Sequence, residues 1–172
     1  LDAKGPLSFN AKRIGQHGET FTCYKFRSMY QESDEILEQY LSKHPAAKDE
    51  WQEFAKLRGY DPRVTNVGRW MRKYSLDELP QIFNVLLGNM SLVGPRPYLP
   101  REKADIGEEN FATISLTVPG ITGFWQVNGR NSVNFAGRVA MDVWYVQNWS
   151  VWVDFVYLFK TFRVVVCGKG AY

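Results

Sequence analysis

The 172-residue sequence has few of the residues that build metal and redox sites. It contains two cysteines, Cys23 and Cys167, and two histidines, His17 and His44. The cysteines lack zinc-ligand spacing, so we expect both to be free thiols in a reducing compartment. His17 falls in a turn and His44 precedes a proline, so neither has a catalytic context. The sequence contains no Ser/His/Asp set, zinc motif or P-loop, which argues against the enzyme classes that depend on them.

Long apolar runs and strong net charge are also missing. No stretch of about 18 apolar residues occurs, so the sequence predicts no membrane-spanning helix. The formal net charge is +3, which suits an anionic substrate or membrane surface but is too weak to indicate nucleic acid by itself. Aromatic residues, by contrast, make up 15% of the chain. Trp and Tyr are typical of ring-rich cores and equally of membrane interfaces.

The length suits one domain with a proper core, residues 1–172, and the patterns predict an α/β, α+β-like fold. We expect a small N-terminal β-hairpin with several surrounding helices, some of them amphipathic. The predicted strands are 7–14, 20–26 and 124–127, and the predicted helices are 31–42, 46–57, 66–73, 76–87, 134–147 and 151–166, with a short acidic helix within 98–110.

The last predicted helix allows two interpretations. It is very apolar, and one side carries Trp152, Phe155, Val156, Phe159 and Phe162. A helix buried in the core explains this composition. A helix lying in a membrane interface explains it as well, because amphipathic helices with aromatic faces and basic flanks bind there.

The most informative segment is 71–97. Ser75 and Glu78 match the Ser-x-x-Glu capping box, which predicts the start of helix 76–87. The helical spacing of Leu76, Leu79, Phe83 and Leu86 predicts that these side chains face the core.

The adjacent carboxylates Asp77 and Glu78 also allow two interpretations. In the first, Glu78 completes the capping box and Asp77 complements the helix dipole. In the second, one carboxylate attacks phosphorus while its neighbour binds Mg²⁺. A helix N-terminus suits the second interpretation because its free N–H groups favour an anion.

Cations at the ends of predicted elements favour phosphate chemistry, which needs positioning and charge neutralisation above all. They are Lys25, Arg27, Arg63, Arg72 and Arg96. Arg96 stands out because its flanking prolines restrict the backbone that carries it. A second polar cluster contains Gln126, Asn128, Arg130 and Asn131. A hairpin turn around Asn128 explains that cluster as well as substrate recognition does.

Several segments together resemble the bacterial sugar transferases, the monotopic phosphoglycosyl transferases that act on polyprenyl phosphate. The resembling segments are, in order, 25–29, 61–65, 75–81, 90–97, 119–123, 126–130 and 170–172. They extend over essentially the whole chain.

The resemblance implies transfer of a sugar-1-phosphate from a UDP-sugar to undecaprenyl phosphate, with release of UMP. It implies that Asp77 is the nucleophile of a covalent phospho-sugar intermediate and that Glu78, with Asp77, acts with Mg²⁺. Phosphate and substrate contacts would come from Lys25, Arg27, Arg72, Arg96, Gln126 and Arg130.

The resemblance also implies a location and a pathway. We expect a catalytic domain on the cytoplasmic face of the bacterial inner membrane, its lipid surface being a partner, with the family's upstream membrane segment missing from this sequence. The pathway would begin O-antigen, capsule, exopolysaccharide or glycoprotein glycan assembly. The helical stretch 31–58 resembles members that transfer galactose-1-phosphate, and glucose-1-phosphate is the alternative.

Two other classes of function stay open. One is a non-catalytic basic and aromatic module that binds anionic lipid or nucleic acid, although no clustered basic stripe favours it and we expect no nucleic-acid partner. The other is a fragment that only mediates assembly. A homo-oligomer is compatible with the sequence.

Overall fold

The structure is a computed structural model that describes residues 5–54, 56–57, 59–128 and 133–167. An antiparallel hairpin is its first element. Strand β1 (Ser8–Ile14) pairs with β2 (Thr20–Phe26) so that Ser8 lies opposite Phe26 and Ile14 opposite Thr20. The predicted hairpin is therefore confirmed. Cys23 is fully buried in it as a free thiol.

Three helices follow the hairpin, close to where the sequence predicts them. They are α1 (Ser33–Lys43), α2 (Pro45–Phe54) and α3 (Asn66–Lys73). Thr65 caps α3, because its Oγ1 accepts a hydrogen bond of 2.9 Å from the backbone N–H of Gly68. Any Cβ at Gly68 would collide with the carbonyl group of Ser28. The missing side chain thus lets α3 lie directly on the segment that follows β2.

The predicted helix 76–87 does not begin with a capping box. Ser75 adopts the left-handed conformation, with φ 56°, and its side chain makes no capping hydrogen bond. Residues Leu76–Glu78 form one 3-10 turn, and helix α4 (Gln81–Leu86) begins only after Pro80. The prediction fails because the Glu78 carboxylate pairs with Lys25 of β2.

A short parallel pair, β3 (Ser91–Val93) and β4 (Gly120–Thr122), lies at the centre of the second half. Gly94 and Gly120 approach so closely that a Cβ on either would collide with the other's backbone. The strand predicted at 124–127 is wrong, since this stretch belongs to helix α7 (Phe124–Asn128). Phe124 and Val127 are three residues apart and so lie on the same side of α7, where both side chains pack against the core.

The stretch 98–110 holds more than the one acidic helix that the sequence predicts. A 3-10 turn, Pro100–Glu102, leads into α5 (Lys103–Ile106), and α6 (Glu108–Ile114) follows. Gly107, with φ 81°, separates the two helices. Their buried residues Ile106 and Ile114 pack with Tyr98 and Val139 in one core cluster.

The last two predicted helices are confirmed as α8 (Phe135–Gln147) and α9 (Val151–Cys167). Asn134 caps α8 through its side-chain oxygen, which accepts from Gly137 N–H at 2.9 Å. The Tyr145 hydroxyl of α8 donates to Asp154 of α9 at 2.7 Å and also to the carbonyl of Val93. These bonds join both helices to the parallel strand pair.

The predicted core positions of α4 and its preceding turn are corrected by the structure. Leu79, Phe83 and Leu86 are exposed, Leu86 to 77%, and only Leu76 is half-buried. Their periodicity marks one face of a helix, but that face points outward, because the polar Gln81 and Asn84 occupy the buried side.

Helix α9 likewise presents its aromatic side to the outside. Trp152 is 80% exposed and Phe159 74%, and Phe155, Val156 and Phe162 are exposed too. The interpretation as a core helix is therefore wrong for the aromatic side, while the opposite side of α9 packs in the core through Tyr157. Among the described residues, no helix combines the length and apolar character needed to cross a membrane.

Candidate active site

The Asp77–Glu78 pair sits on the 3-10 turn between α3 and α4, directly against β2. Asp77 is 8% exposed. Glu78 is half-buried, and its Oε1 accepts a hydrogen bond of 2.6 Å from Lys25 Nζ. The left-handed Ser75 reverses the chain after α3 and so aims the turn back at the hairpin.

Arg72 supplies a second cation beside the pair. It lies in the last turn of α3, and its Nε donates to Ser28 Oγ at 2.8 Å. The positive charges of Arg72 and Lys25 both act on Asp77 and on Glu78. The structure therefore brings together four of the predicted site residues, Lys25, Arg72, Asp77 and Glu78.

The two carboxyl groups differ in their affinity for a proton. Burial raises the pKa of Asp77, and the neighbouring Glu78 charge raises it further, while Lys25 and Arg72 offset part of the rise. Burial also opposes ionisation of Glu78. There, however, the Lys25 ammonium and the Arg13 and Arg72 charges prevail, so the pKa of Glu78 lies below its usual range. Divergent pKa values in an adjacent pair are typical of a functional site.

Asn84 holds this turn in place, although the sequence analysis did not single it out. Its side chain is fully buried. Its Nδ2 donates to the Thr22 carbonyl at 2.7 Å, and its Oδ1 accepts from Tyr24 N–H at 3.0 Å. Asn84 thereby bonds α4 to the backbone of β2 at Thr22 and Tyr24, just before Lys25. The signal in the sequence was one amide within the apolar run 82–87.

Arg96 lies on the turn after β3, and Asp142 of α8 holds that turn. Asp142 is fully buried, and its Oδ2 accepts from Arg96 N–H at 3.1 Å and from the Tyr98 hydroxyl at 2.8 Å. Burial raises the pKa of Asp142 to about 7, although both hydrogen bonds lower it. The Arg96 guanidinium pairs with Glu102 at 3.4 Å.

Arg13 of β1 is a further cation that sequence reasoning missed. Its Nη1 donates to the Pro97 carbonyl at 3.3 Å. Burial and the charge of Arg96 lower the pKa of Arg13, and Glu78 and Glu102 act in the opposite direction. Arg13 therefore contacts the turn that carries Arg96, and its charge also acts on Glu78. The strand register of the hairpin could have revealed Arg13, because it places Arg13 on the same face as Lys25.

The structure does not bring the other predicted cations to the carboxylate pair. The Arg27 side chain lies beside Gly5, and none of the contacts seen among the described residues joins it to Asp77. Arg63 is held by Asp61 at 2.6 Å and lies over the ring of Trp51.

The second polar cluster is described only in part. A Cβ at Gly123 would collide with the carbonyl of Gly94 and lie 3.0 Å from Gln126 Oε1, which places Gln126 near the turn that carries Arg96. Asn128 ends α7 and accepts a hydrogen bond from Lys160 of α9 at 2.9 Å. The predictions for Arg130 and Asn131 fall outside the described residues.

The part of the chain described by the structure holds no cluster of three or more His, Cys, Asp or Glu side chains placed to bind a metal. Asp77 and Glu78 are two adjacent oxygen donors, and Glu78 is held in its ionised form. Mg²⁺ is usually bound by one or two carboxylates together with substrate phosphates. The donor set therefore fits Mg²⁺ bound jointly with a phosphorylated substrate.

Comparison with known proteins identifies the family of the chain. Residues 1–168 match the family model described as bacterial sugar transferase. The chain is 50% identical over 168 residues to an undecaprenyl-phosphate galactose phosphotransferase of Salmonella typhimurium, covering 98% of the chain and 35% of that protein. It is 45% identical to the exopolysaccharide production protein ExoY of Rhizobium meliloti, covering 98% of the chain and 74% of that protein.

An undecaprenyl-phosphate glucose phosphotransferase of Komagataeibacter xylinus is more distant, at 37% identity over the whole chain and 31% of that protein. The chain thus spans about a third of the length of the Salmonella and Komagataeibacter relatives. The family model matches nearly every residue, and the Salmonella and Komagataeibacter relatives carry names of the same class of transferase. The chain belongs to the bacterial sugar transferase family.

Proposed function

We propose that this chain is the catalytic part of a phosphoglycosyl transferase, which moves a sugar-1-phosphate from a UDP-sugar to undecaprenyl phosphate and releases UMP. The observation that carries the proposal is the buried Asp77 beside Glu78, Lys25 and Arg72. The names of the Salmonella and Komagataeibacter relatives support the lipid phosphate as acceptor.

In the first step, an ionised Asp77 oxygen attacks the phosphorus that bears the sugar. The bond from that phosphorus to the UMP oxygen breaks, and its electron pair leaves with UMP. The product is an acyl phosphate between Asp77 and the sugar phosphate. The raised pKa of Asp77 favours this role, because a more basic carboxylate is the better nucleophile once it is ionised.

In the second step, a phosphate oxygen of undecaprenyl phosphate attacks the same phosphorus. The bond to Asp77 breaks and its carboxylate is restored, so the cycle consumes no proton at Asp77. Lys25 and Arg72 stabilise the charge on the phosphoryl oxygens in both steps, since both act on Asp77 from close by.

Glu78, together with Asp77, would hold Mg²⁺ alongside the diphosphate. When bound, the ion would neutralise charge on the phosphate oxygens. The Lys25 contact keeps Glu78 ionised and therefore ready to bind a cation.

The exposed apolar faces of α4 and α9 support a location on a membrane surface, at the cytoplasmic face of the inner membrane. Leu79, Phe83, Trp152 and Phe159 are all more than half exposed. Faces of this kind bury in the headgroup and acyl boundary. The turn with Asp77 lies two residues before Leu79, so a lipid phosphate would meet the nucleophile close to that surface.

The relatives' names divide between galactose and glucose, and we propose one of these two sugars. The ExoY relative favours a role in exopolysaccharide assembly. A panel of UDP-sugars, offered with undecaprenyl phosphate, identifies the donor by release of UMP.

The decisive experiment is exchange of labelled UMP into UDP-sugar without any acceptor. A covalent intermediate permits this exchange, and Asp77→Asn abolishes it. The control is Asp105→Asn, which changes an exposed carboxylate on α5 and leaves the exchange intact. Exchange that survives in Asp77→Asn removes Asp77 from the nucleophile role. A module that only binds lipid shows no exchange in any variant.

A further inference from the structure

The inner face of the hairpin carries two cations with different surroundings. Residues directly opposite in an antiparallel pair share a face, and Arg13 lies opposite Phe21 while Lys25 lies opposite Phe9. Phe21 and Lys25 are four residues apart on one strand, so they point to the same side. Arg13 and Lys25 thus belong to one face, and Lys12 belongs to the other.

The Arg13 guanidinium is poorly satisfied where it stands. Its Nε is buried and has no hydrogen-bond partner among the described residues. The hydrogen bond that the guanidinium makes within the described part of the chain, to the Pro97 carbonyl, is long at 3.3 Å. Buried N–H groups are normally paired, and an orphan next to a candidate site calls for an explanation.

Arg13 is also held near a like charge. Burial and then the charge of Arg96 lower the pKa of Arg13, and the ion pair of Arg96 with Glu102 is long at 3.4 Å. Two neighbouring guanidinium groups disfavour each other, and the Glu102 carboxylate offsets part of this repulsion through its long contact with Arg96 and its charge on Arg13. Guanidinium groups match phosphate oxygens in a forked geometry.

We infer that Arg13 and Arg96 together bind the phosphate of the nucleotide, the group that leaves as a nucleoside monophosphate. This inference rests on the proposed function and adds Arg13 to it. A diphosphate donor has two phosphates: one beside Asp77, Lys25 and Arg72, and its neighbour further along the same hairpin face. Arg13 occupies that second position, since its Nη1 contacts the Pro97 carbonyl on the turn that carries Arg96, and its face of the hairpin also carries Lys25.

A purely structural role for Arg13 explains less. The backbone of β1 is already fastened to the Arg96 turn, because Ile14 N–H donates to the Tyr98 carbonyl at 2.9 Å. Among the described residues, the guanidinium adds to this its long bond to Pro97. A structural fastener also leaves the buried Nε unexplained.

The test compares UMP with uridine as ligands, measured by NMR titration of the full chain. Arg13→Gln weakens UMP binding about tenfold or more, as expected for loss of a charged hydrogen bond, and leaves uridine binding within about twofold. Lys12→Gln is the matched control: it removes the same charge from the neighbouring, exposed residue on the opposite face. It leaves binding of both ligands within about twofold.

Equal weakening of UMP and uridine in Arg13→Gln overturns the inference, and so does UMP binding that matches wild type. If the Gln variant unfolds, Arg13→Lys decides instead: it keeps the charge but loses the fork, so UMP alone weakens by several-fold. A wild-type chain that binds neither UMP nor UDP-sugar refutes the proposed function itself. A wild-type chain that binds them while Arg13→Gln changes nothing refutes this inference only.

Discussion

Asn84→Ala is the substitution with the clearest expected effect on the structure around the site. The amide lies fully buried between α4 and β2 and makes two hydrogen bonds to the β2 backbone, at 2.7 and 3.0 Å. Alanine removes both bonds and leaves the Thr22 carbonyl and the Tyr24 N–H without these partners. The turn with Asp77 loses its fastening to the strand that carries Lys25.

The magnitude follows from those two bonds. Each contributes about 0.5–1.5 kcal/mol net, and a polar group left unpaired in the interior adds about 1–3 kcal/mol. We therefore expect the free energy of unfolding to fall by about 2–4 kcal/mol. For a domain of this size, 1 kcal/mol shifts the melting temperature by about 2–4 °C. The expected fall in melting temperature is about 4–16 °C.

Thermal unfolding followed by circular dichroism measures this change. Asn89→Ala serves as the control, since Asn89 is an exposed amide five residues further along, and we expect it to stay within about 0.5 kcal/mol of wild type. UMP exchange, measured well below the melting temperature, should also fall in Asn84→Ala. A loss of stability below about 1 kcal/mol, or equal losses in both variants, would refute the role given to Asn84.

Three further predictions concern charge and the apolar surface. Because burial raises the pKa of Asp77, ionisation of Asp77 opposes folding, and Asp77→Asn melts at a higher temperature than wild type at pH 8. This difference in melting temperature closes as the pH falls through the pKa of Asp77, and a difference that widens in acid contradicts the prediction. Tyr98→Phe removes a donor to the buried Asp142, so it raises the pKa of Asp142 above about 7, as an NMR titration would report, and destabilises by about 1–3 kcal/mol; an unchanged titration argues against it. Phe159→Ser weakens binding to anionic vesicles about tenfold in a sedimentation assay. Leu116→Ser, which changes an exposed apolar residue outside α9, does not, and equal effects of the two variants would contradict the assignment of the α9 face to the membrane surface.

The sequence predicted elements well where strong local signals mark their ends. The hairpin has turn residues between two strand-like runs, and α8 begins at an Asn that caps it. The prediction of a strand at Phe124 failed, although the flanking glycine and the turn signal at Asn128 favoured it. The helical spacing of two apolar residues in this stretch correctly indicates a helix.

Periodicity had a different limit at Leu79 and Phe83. It identified one apolar side of a helix, but not the medium that this side faces, because a core and a membrane interface select the same residues. The buried side was instead marked by amides, Gln81 and Asn84, whose hydrogen-bonding capacity a hydrophobic pattern does not register.

The residues of the candidate site could be named from the sequence, but their arrangement in space could not. Asp77 and Glu78 were identifiable from their adjacency, whereas the Lys25–Glu78 contact depends on how β2 packs against the 3-10 turn. The predicted capping role of Glu78 failed for the same reason, since tertiary pairing took its carboxylate. Arg13 was missed because a cation in a strand looks like an ordinary solvated charge until the register is known.

The contacts that assemble the site join distant parts of the chain, and this sets an order of events during synthesis. The hairpin closes through neighbours in sequence and can form once residue 26 has left the ribosome. Lys25 must then wait for Glu78, 53 residues later, and Arg13 for Pro97, 84 residues later. Non-local contacts of this kind form late and slowly. The nascent chain therefore holds Lys25 and Arg13 without these partners until residues 78 and 97 have been made, and the candidate site is complete only after the Arg96 turn has emerged and α8 has docked on it.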